Sequence, residues 1–209
     1  MSHETETFLL LPLAVNDDLN ISVTPSQSLP PNLTTEIAAL NALHQTLLTS
    51  ETTSPPAAGN IPPPPVPVNP KRSAAIAKLR TSGNDAYKKK QFGEAVRIYS
   101  LGIEMALGRP NWEPSGLVKD ELYLLYANRS QAYMATGQWP EGLADADASV
   151  DCKKVGNPKA HWRKGKCLKE MGRLEEAREA LELGLEFGGE DADLKALYKE
   201  VEDALGRRT

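Results

Sequence analysis

Residues 158–187 read PKAHWRKGKCLKEMGRLEEAREALELGLEF, and the turn signal Gly172-Arg173 divides them into two helical stretches. Glycine is the usual residue just after a helix end, so a new helix is predicted to begin near residue 174. Small residues, Gly165 and Ala177, lie on either side of this turn, and the large Leu181 follows. Small residues let two helices approach closely, while a large one fills the gap between them. The stretch therefore predicts a tightly packed antiparallel helix pair.

The same pattern of small and large residues occurs twice more along the chain. Units of about 34 residues that start at Ile76, Tyr123 and Pro158 place comparable residues at comparable positions. The first unit has Gly83, Ala95 and Tyr99, and the second has Tyr133, Gly142 and Ala146. Helix pairs of this length and pattern are tetratricopeptide repeats. The first unit is longer by about 13 residues, around Gly108–Gly116.

The predicted fold is all-α: three tetratricopeptide repeats stacked as an α-solenoid, closed by a C-terminal capping helix. Helices are predicted near residues 72–90, 92–107, 117–136, 140–154, 158–171, 174–187 and 191–205. The capping helix is predicted to turn four residues inward: Leu194, Leu197, Tyr198 and Val201.

The N-terminal third has a different composition and predicts two further segments. Residues 1–48 form a small head, with strand signals at Phe8–Leu13 and Ile21–Val23 and a helix that Thr34 and Thr35 would cap. Residues 49–70 form a stiff linker, because they contain the proline-rich run IPPPPVPVNP. Residues 1–70 as a whole hold 12 of the 16 prolines. The predicted domains are thus a head at 1–48, a Pro-rich linker at 49–70 and a repeat domain at 71–209.

Charge and cysteine content exclude several classes of function. Residues 1–70 carry a net charge of −6 and residues 71–209 a net charge of +2, which does not suggest nucleic-acid binding. Cys152 and Cys167 lack metal-ligand spacing, so no metal site and no cofactor are predicted. The sequence contains no apolar run of membrane-spanning length and no basic segment typical of a signal peptide. No nucleophile–base pair or phosphate loop is apparent, and an enzyme is not expected.

Five polar residues occupy the predicted first helices of the three repeats, which line the concave groove of such a stack. They are Arg80, Asn84, Asn128, Lys159 and Arg163. Arg80 and Asn84 are four residues apart, as are Lys159 and Arg163, so each pair shares one helix face. Cations form charge-assisted hydrogen bonds with carboxylates, and Asn amides add oriented donors. The set predicts a site that reads the carboxylates at the end of a peptide.

These five positions resemble the carboxylate-clamp subclass of tetratricopeptide domains, whose pattern is Lys, Asn, Asn, Lys, Arg. Four residues match, and Arg80 replaces a Lys with another cation. The resemblance implies binding of acidic chaperone tails that end in Glu-Glu-Val-Asp. The implied partners are 70-kDa cytosolic heat-shock chaperones, with the 90-kDa class as a further candidate.

The layout of head, proline spacer, enlarged first repeat and capping helix resembles the tetratricopeptide subunit of the fungal post-translational translocation complex of the endoplasmic reticulum. That resemblance implies a peripheral receptor on the cytosolic face of this membrane, held by a membrane-anchored subunit. A head of this size is too small to close its own core, so apolar residues are predicted to dock on that subunit. They are Phe8, Leu9, Leu10, Leu11, Leu13, Ile37, Leu40, Leu43 and Leu47. A free cytosolic co-chaperone with the same clamp is the alternative.

Overall fold

The computed structural model describes residues 12–23, 30–49, 68, 70–110, 113–189 and 191–207. Contacts divide the chain into two compact units, Met1–Asn69 and Pro70–Thr209. Most of the predicted linker lies outside the described residues, so the division into head, linker and repeat domain stays a prediction. Within the described ranges, each helix is too short or too polar to cross a membrane.

The first unit contains a two-stranded antiparallel sheet and one helix. Strand β1 spans Leu13–Val15, strand β2 spans Ile21–Val23, and helix α1 spans Pro31–Thr49. Leu13 pairs with Val23 and Val15 with Ile21. The strand at Ile21–Val23 is confirmed. The first strand begins at the end of the predicted apolar run, of which Phe8, Leu9, Leu10 and Leu11 lie outside the described residues.

Helix α1 begins earlier than the sequence signals suggested. Thr34 and Thr35 were predicted to cap it, but the helix starts at Pro31 and both residues lie inside it. Their hydroxyls donate to the carbonyl oxygens of Pro30 and Pro31, at 3.2 and 3.0 Å. The capping prediction was wrong because proline, with a preset φ and no N–H, is itself well suited to start a helix.

The side chain of Asn41 on α1 hydrogen-bonds the backbone of β2 as a neighbouring strand would. Its Nδ2 donates to the carbonyl oxygen of Ile21 at 2.9 Å, and its Oδ1 accepts from the Ile21 N–H at 2.6 Å. Among the predicted docking residues, Ile37 and Leu40 are half-buried, whereas Leu13 and Leu43 are exposed. The side chain of Leu47 lies outside the described part, and the docking role of the whole set stays a prediction.

The second unit is helical throughout its described elements, as predicted. Its helices are α2 (Pro70–Lys88), α3 (Phe92–Leu107), α4 (Ser115–Ala135), α5 (Trp139–Cys152), α6 (Pro158–Glu170), α7 (Leu174–Gly188) and α8 (Ala192–Gly206). Their bounds lie within about two residues of those predicted. Helices α4 and α6 each give way to a glycine with positive φ, Gly137 at 74° and Gly172 at 76°. Only glycine adopts this conformation without strain, which is why these turn signals were reliable.

Close helix contact at the predicted small residues builds the core. Consecutive helices from α2 to α8 pack against one another, and α8 also contacts α6 as a cap. Leu194, Leu197 and Val201 are buried as predicted, while Tyr198 is half-buried. A Cβ atom added to Gly165 would lie 2.5 Å from the side chain of Leu181. The small and large positions of a repeat are therefore direct neighbours in space.

Gly83→Ala is expected to destabilise the first repeat. Its Cβ atom would lie 2.4 Å from Cε1 of the buried Tyr99, so two helices or the ring must move. Overpacking of this kind costs about 1–3 kcal/mol of the free energy of unfolding. Thermal melts of Gly83→Ala and Gly93→Ala provide the comparison, because a Cβ on Gly93 meets nothing within 4 Å. An unchanged midpoint for Gly83→Ala would contradict the repeat register.

The enlarged connection between α3 and α4 is held by a buried ionic cluster, here called the Arg109 cluster: Arg109, Glu113, Glu121 and Ser73. The Arg109 side chain is 1% exposed, and it binds both oxygens of Glu121, at 2.6 and 2.8 Å. It also contacts the carboxylate of Glu113 and donates to Oγ of Ser73 at 2.7 Å. These bonds fasten the inserted residues to α2 and α4.

Candidate functional site

The first helix of each pair carries the predicted clamp residues. Arg80 and Asn84 lie on α2, Asn128 on α4, and Lys159 and Arg163 on α6. Helix α4 contacts both α2 and α6, so the three helices are neighbours. We call the space between these three helices the groove. Four of the five residues are linked there: Asn84 and Asn128 share a hydrogen bond, and Asn128, Lys159 and Arg163 line one cavity.

Asn84 and Asn128 meet directly in this groove. Nδ2 of Asn128 donates to Oδ1 of Asn84 at 2.9 Å, and the hydroxyl of Tyr99 donates to the same oxygen at 2.7 Å. Both bonds use the carbonyl side of the Asn84 amide, so its Nδ2 donor faces away from them. Among the described residues, that donor has no hydrogen-bond partner. Tyr99 and Asn128 thus orient a donor that a ligand can use.

Burial and nearby charges act in opposite directions on the tyrosine that holds Asn84. Burial raises the pKa of Tyr99 to about 12, while the positive charges of Arg163 and Arg80 oppose this shift. Both guanidinium groups therefore act on the region around the Tyr99 hydroxyl. Tyr99 therefore stays protonated at neutral pH and keeps the hydrogen that its hydroxyl donates to Asn84.

Arg163 is a buried cation that has no acidic partner in the part of the chain that the structure describes. The residue is 8% exposed, and Nη2 donates to the neutral Oε1 of Gln131 at 2.8 Å. No carboxylate of the described residues lies within ion-pair distance of it, unlike the Arg129–Asp145 pair at 2.7 Å. Burial lowers the pKa of Arg163, although an arginine stays charged at neutral pH. An uncompensated buried charge is costly and favours an anionic ligand.

Lys159 completes the group at the exposed edge of the groove. It lies one turn before Arg163 on α6, and its side chain has no ion pair among the described residues. Lys159 and Arg163 line a cavity of about 370 Å³ that also contacts Asn128 and Gln131. Tyr123, Leu124, Ala127 and Pro158 contribute its apolar wall. The cavity can receive a peptide end that is both apolar and anionic.

Two residues of this site were not assigned to it from the sequence. Tyr99 was interpreted as a packing residue, which it is, but its hydroxyl also fixes Asn84. Gln131 gave no signal of its own, although it lies three residues after Asn128 and so near the same helix face. Among the described residues, no cluster of His, Cys, Asp or Glu could hold a metal ion.

The fold and the groove define a tetratricopeptide-repeat domain. The first such domain of Spaghetti (RPAP3), solved bound to the HSP90 peptide SRMEEVD, superimposes with a TM-score of 0.54 at 22% identity. The match covers 64% of this chain and 95% of that domain. At this identity the likeness concerns the fold. No protein-family model matches the chain.

The chain belongs to the family of Sec67 and Sec72 subunits of the endoplasmic reticulum translocation complex. It is 40% identical to subunit sec67 of Schizosaccharomyces pombe over 129 residues, which is 60% of this chain and 66% of that protein. It is 32% identical to translocation protein SEC72 of Saccharomyces cerevisiae over 130 residues, 62% of this chain and 67% of that protein. The aligned parts thus span about two thirds of each relative.

A solved structure extends this similarity to nearly the whole chain. A chain of the Saccharomyces cerevisiae Sec complex superimposes with a TM-score of 0.61 at 27% identity, and the match covers 95% of this chain and 100% of that one. The predicted membership of the translocation family is confirmed. The relatives that define the family are translocation subunits, so this chain is an adaptor and not an enzyme.

Proposed function

We propose that the groove binds the acidic C-terminal tails of cytosolic heat-shock chaperones and thereby delivers chaperone-bound preproteins to the translocation complex. The observation that carries the proposal is Arg163, a buried guanidinium held by a neutral amide. The 70-kDa chaperones are the primary candidates, and the 90-kDa class is the second. No cofactor takes part.

Each clamp residue has a defined role in this proposal. Arg163 and Lys159 form charge-assisted hydrogen bonds with carboxylates of the tail, each worth about 1.5–3 kcal/mol. Asn84 donates its free Nδ2 to the terminal carboxylate, and Arg80 supplies a further positive charge beside it. Asn128 positions Asn84 through their hydrogen bond. A terminal Asp presents two carboxylates, which suits a site with several donors.

Both groups of similar proteins support the proposal. The structurally similar RPAP3 domain was solved with a peptide that ends in Glu-Glu-Val-Asp. The sequence relatives are subunits of the translocation complex of the endoplasmic reticulum. Together they favour a chaperone receptor on the cytosolic face of this membrane. A free co-chaperone would use the same groove without the complex.

Titration calorimetry with a short peptide ending in Glu-Glu-Val-Asp tests the groove. The free-acid peptide is expected to bind with a micromolar dissociation constant, about −8 kcal/mol. Its C-terminally amidated form should bind about tenfold more weakly or worse, because one carboxylate and its charge-assisted contact are lost. Equal affinity for both peptides would rule out a carboxylate clamp.

Removal of residues 1–60 tests the proposed attachment to a membrane-anchored subunit. The truncated protein is expected to leave the membrane fraction yet keep its affinity for the tail peptide, because the clamp lies wholly in the second unit. Co-sedimentation with native membranes measures the first effect and calorimetry the second. Full retention on membranes would contradict docking through the head. A full-length protein that never sediments with membranes would favour the free co-chaperone.

A further inference from the structure

A second cavity adjoins the clamp on the side of the capping helix. It measures about 260 Å³ and is lined by six residues: Gln131, Lys159, Trp162, Arg163, Asp191 and Asp193. Lys159, Arg163 and Gln131 line both cavities, so a peptide held by these cations lies next to the second cavity. We call this space the cap cavity.

The cap cavity is lined by charges of both signs that do not pair with each other. Asp191 and Asp193 belong to the N-terminus of α8, and neither forms an ion pair with Lys159, Arg163 or another described cation. One oxygen of Asp191 caps α8 by accepting from the Leu194 N–H at 3.0 Å. Asp191 thus has a structural role as the helix cap. Asp193 is exposed and has no hydrogen-bond partner among the described residues.

An anionic peptide end changes the balance of charge in the cap cavity. Once the carboxylates of the tail neutralise Lys159 and Arg163, the two aspartates are the remaining charges. Trp162, half-buried beside them, offers an aromatic surface on which the aliphatic part of a long basic side chain packs. An acidic side chain at the same place would be repelled by Asp191 and Asp193.

We propose that the cap cavity is a second subsite, which takes one Lys or Arg side chain from the residues preceding the acidic end of the bound peptide. This inference rests on the proposed function, because it presupposes an acidic tail in the clamp. It defines the preferred ligand as a peptide that is acidic at its C-terminus and basic a few residues earlier. Of the two proposed chaperone classes, the subsite thus favours a tail such as the HSP90 peptide SRMEEVD over one such as the HSP70 peptide SGPTIEEVD, which is neutral there.

The test uses nonapeptide free acids that end in Glu-Glu-Val-Asp and otherwise contain alanine. One residue, placed four, five or six positions before the terminal Asp, is Arg, Ala or Glu. Arg is expected to raise affinity about two- to fivefold over Ala at one of these positions, the range of a partly exposed ion pair. Glu at that position is expected to lower affinity, and added salt should shrink both effects.

Two matched variants assign the effect to the cavity. Asp193→Ala is expected to abolish the advantage of Arg over Ala, whereas Glu202→Ala removes the same charge from α8 outside the cavity and should keep it. Equal affinity for the Arg, Ala and Glu peptides at every position would overturn the subsite, as would an Arg advantage that survives Asp193→Ala. Tight binding of the alanine peptide in that case would leave the clamp itself supported, and failure of all peptides would instead reject the proposed function.

Discussion

Arg163→Met is expected to weaken binding of the free-acid tail peptide about ten- to 100-fold while the domain becomes no less stable. The loss follows from one charge-assisted contact, worth about 1.5–3 kcal/mol. Stability is expected to hold or rise, because Met fills similar space without an unpaired buried charge. Calorimetry and thermal melts of the same preparations measure the two quantities. A loss of affinity without a loss of stability would show that Arg163 serves binding rather than folding.

Arg129→Met is the matched control for Arg163→Met. Arg129 is half-buried, and its Nε and Nη2 donate to the two oxygens of the buried Asp145 carboxylate, at 2.7 Å each. Its loss leaves that carboxylate unpaired and should lower the melting midpoint, with the tail affinity retained at a temperature where the domain is folded. A comparable drop in midpoint for Arg163→Met would mean that Arg163 is structural.

The largest loss of stability is expected for Arg109→Met. The substitution leaves the carboxylates of Glu113 and Glu121, 13% and 12% exposed, without their cation. Breaking a buried ionic cluster from one side costs about 3–5 kcal/mol. For a domain of this size, such a loss corresponds to a melting midpoint about 10 °C lower. Urea unfolding followed by circular dichroism measures the free energy directly.

Arg97→Met serves as the surface control for Arg109→Met. Arg97 also forms a two-bond contact with a glutamate, Glu94, but the two side chains are 63% and 43% exposed. Its loss is expected to leave the melting midpoint nearly unchanged, because water screens an exposed ion pair. Adding Glu113→Gln and Glu121→Gln to Arg109→Met should restore part of the lost stability. Equal effects of Arg97→Met and Arg109→Met would show that the Arg109 cluster contributes little.

The repeat fold was predictable because its determinants are local and periodic. Gly165 and Leu181 lie at fixed places in the unit, and their contact follows from the helix pair itself. The helix ends could be predicted equally well, since Gly172 adopts a backbone conformation that other residues avoid. The start of α1 was missed because Thr34 and Thr35 compete with Pro31 as start signals, and the sequence does not rank them.

The members of the candidate site were predictable, but their contacts were not. The spacing of Lys159 and Arg163 placed both on one face of α6. The hydroxyl of Tyr99 and the amide of Gln131 become partners of the clamp only after the helices pack. The periodicity of the sequence therefore does not indicate these contacts. The cap cavity depends on where α8 crosses α6, a tertiary property that helix periodicity does not contain. The buried state of Arg163 was missed for the same reason.

Because Lys159 is exposed and Arg163 is buried, the two residues are expected to control different kinetic steps of tail binding. An exposed charge accelerates encounter by long-range attraction, and mobile ions weaken this effect. A buried charged contact acts after docking and sets the residence time of the complex. In the proposed complex, Lys159 at the rim governs how fast a tail arrives, and Arg163 governs how long it stays. The association rate is then expected to fall as ionic strength rises, whereas the lifetime of the complex is expected to change little.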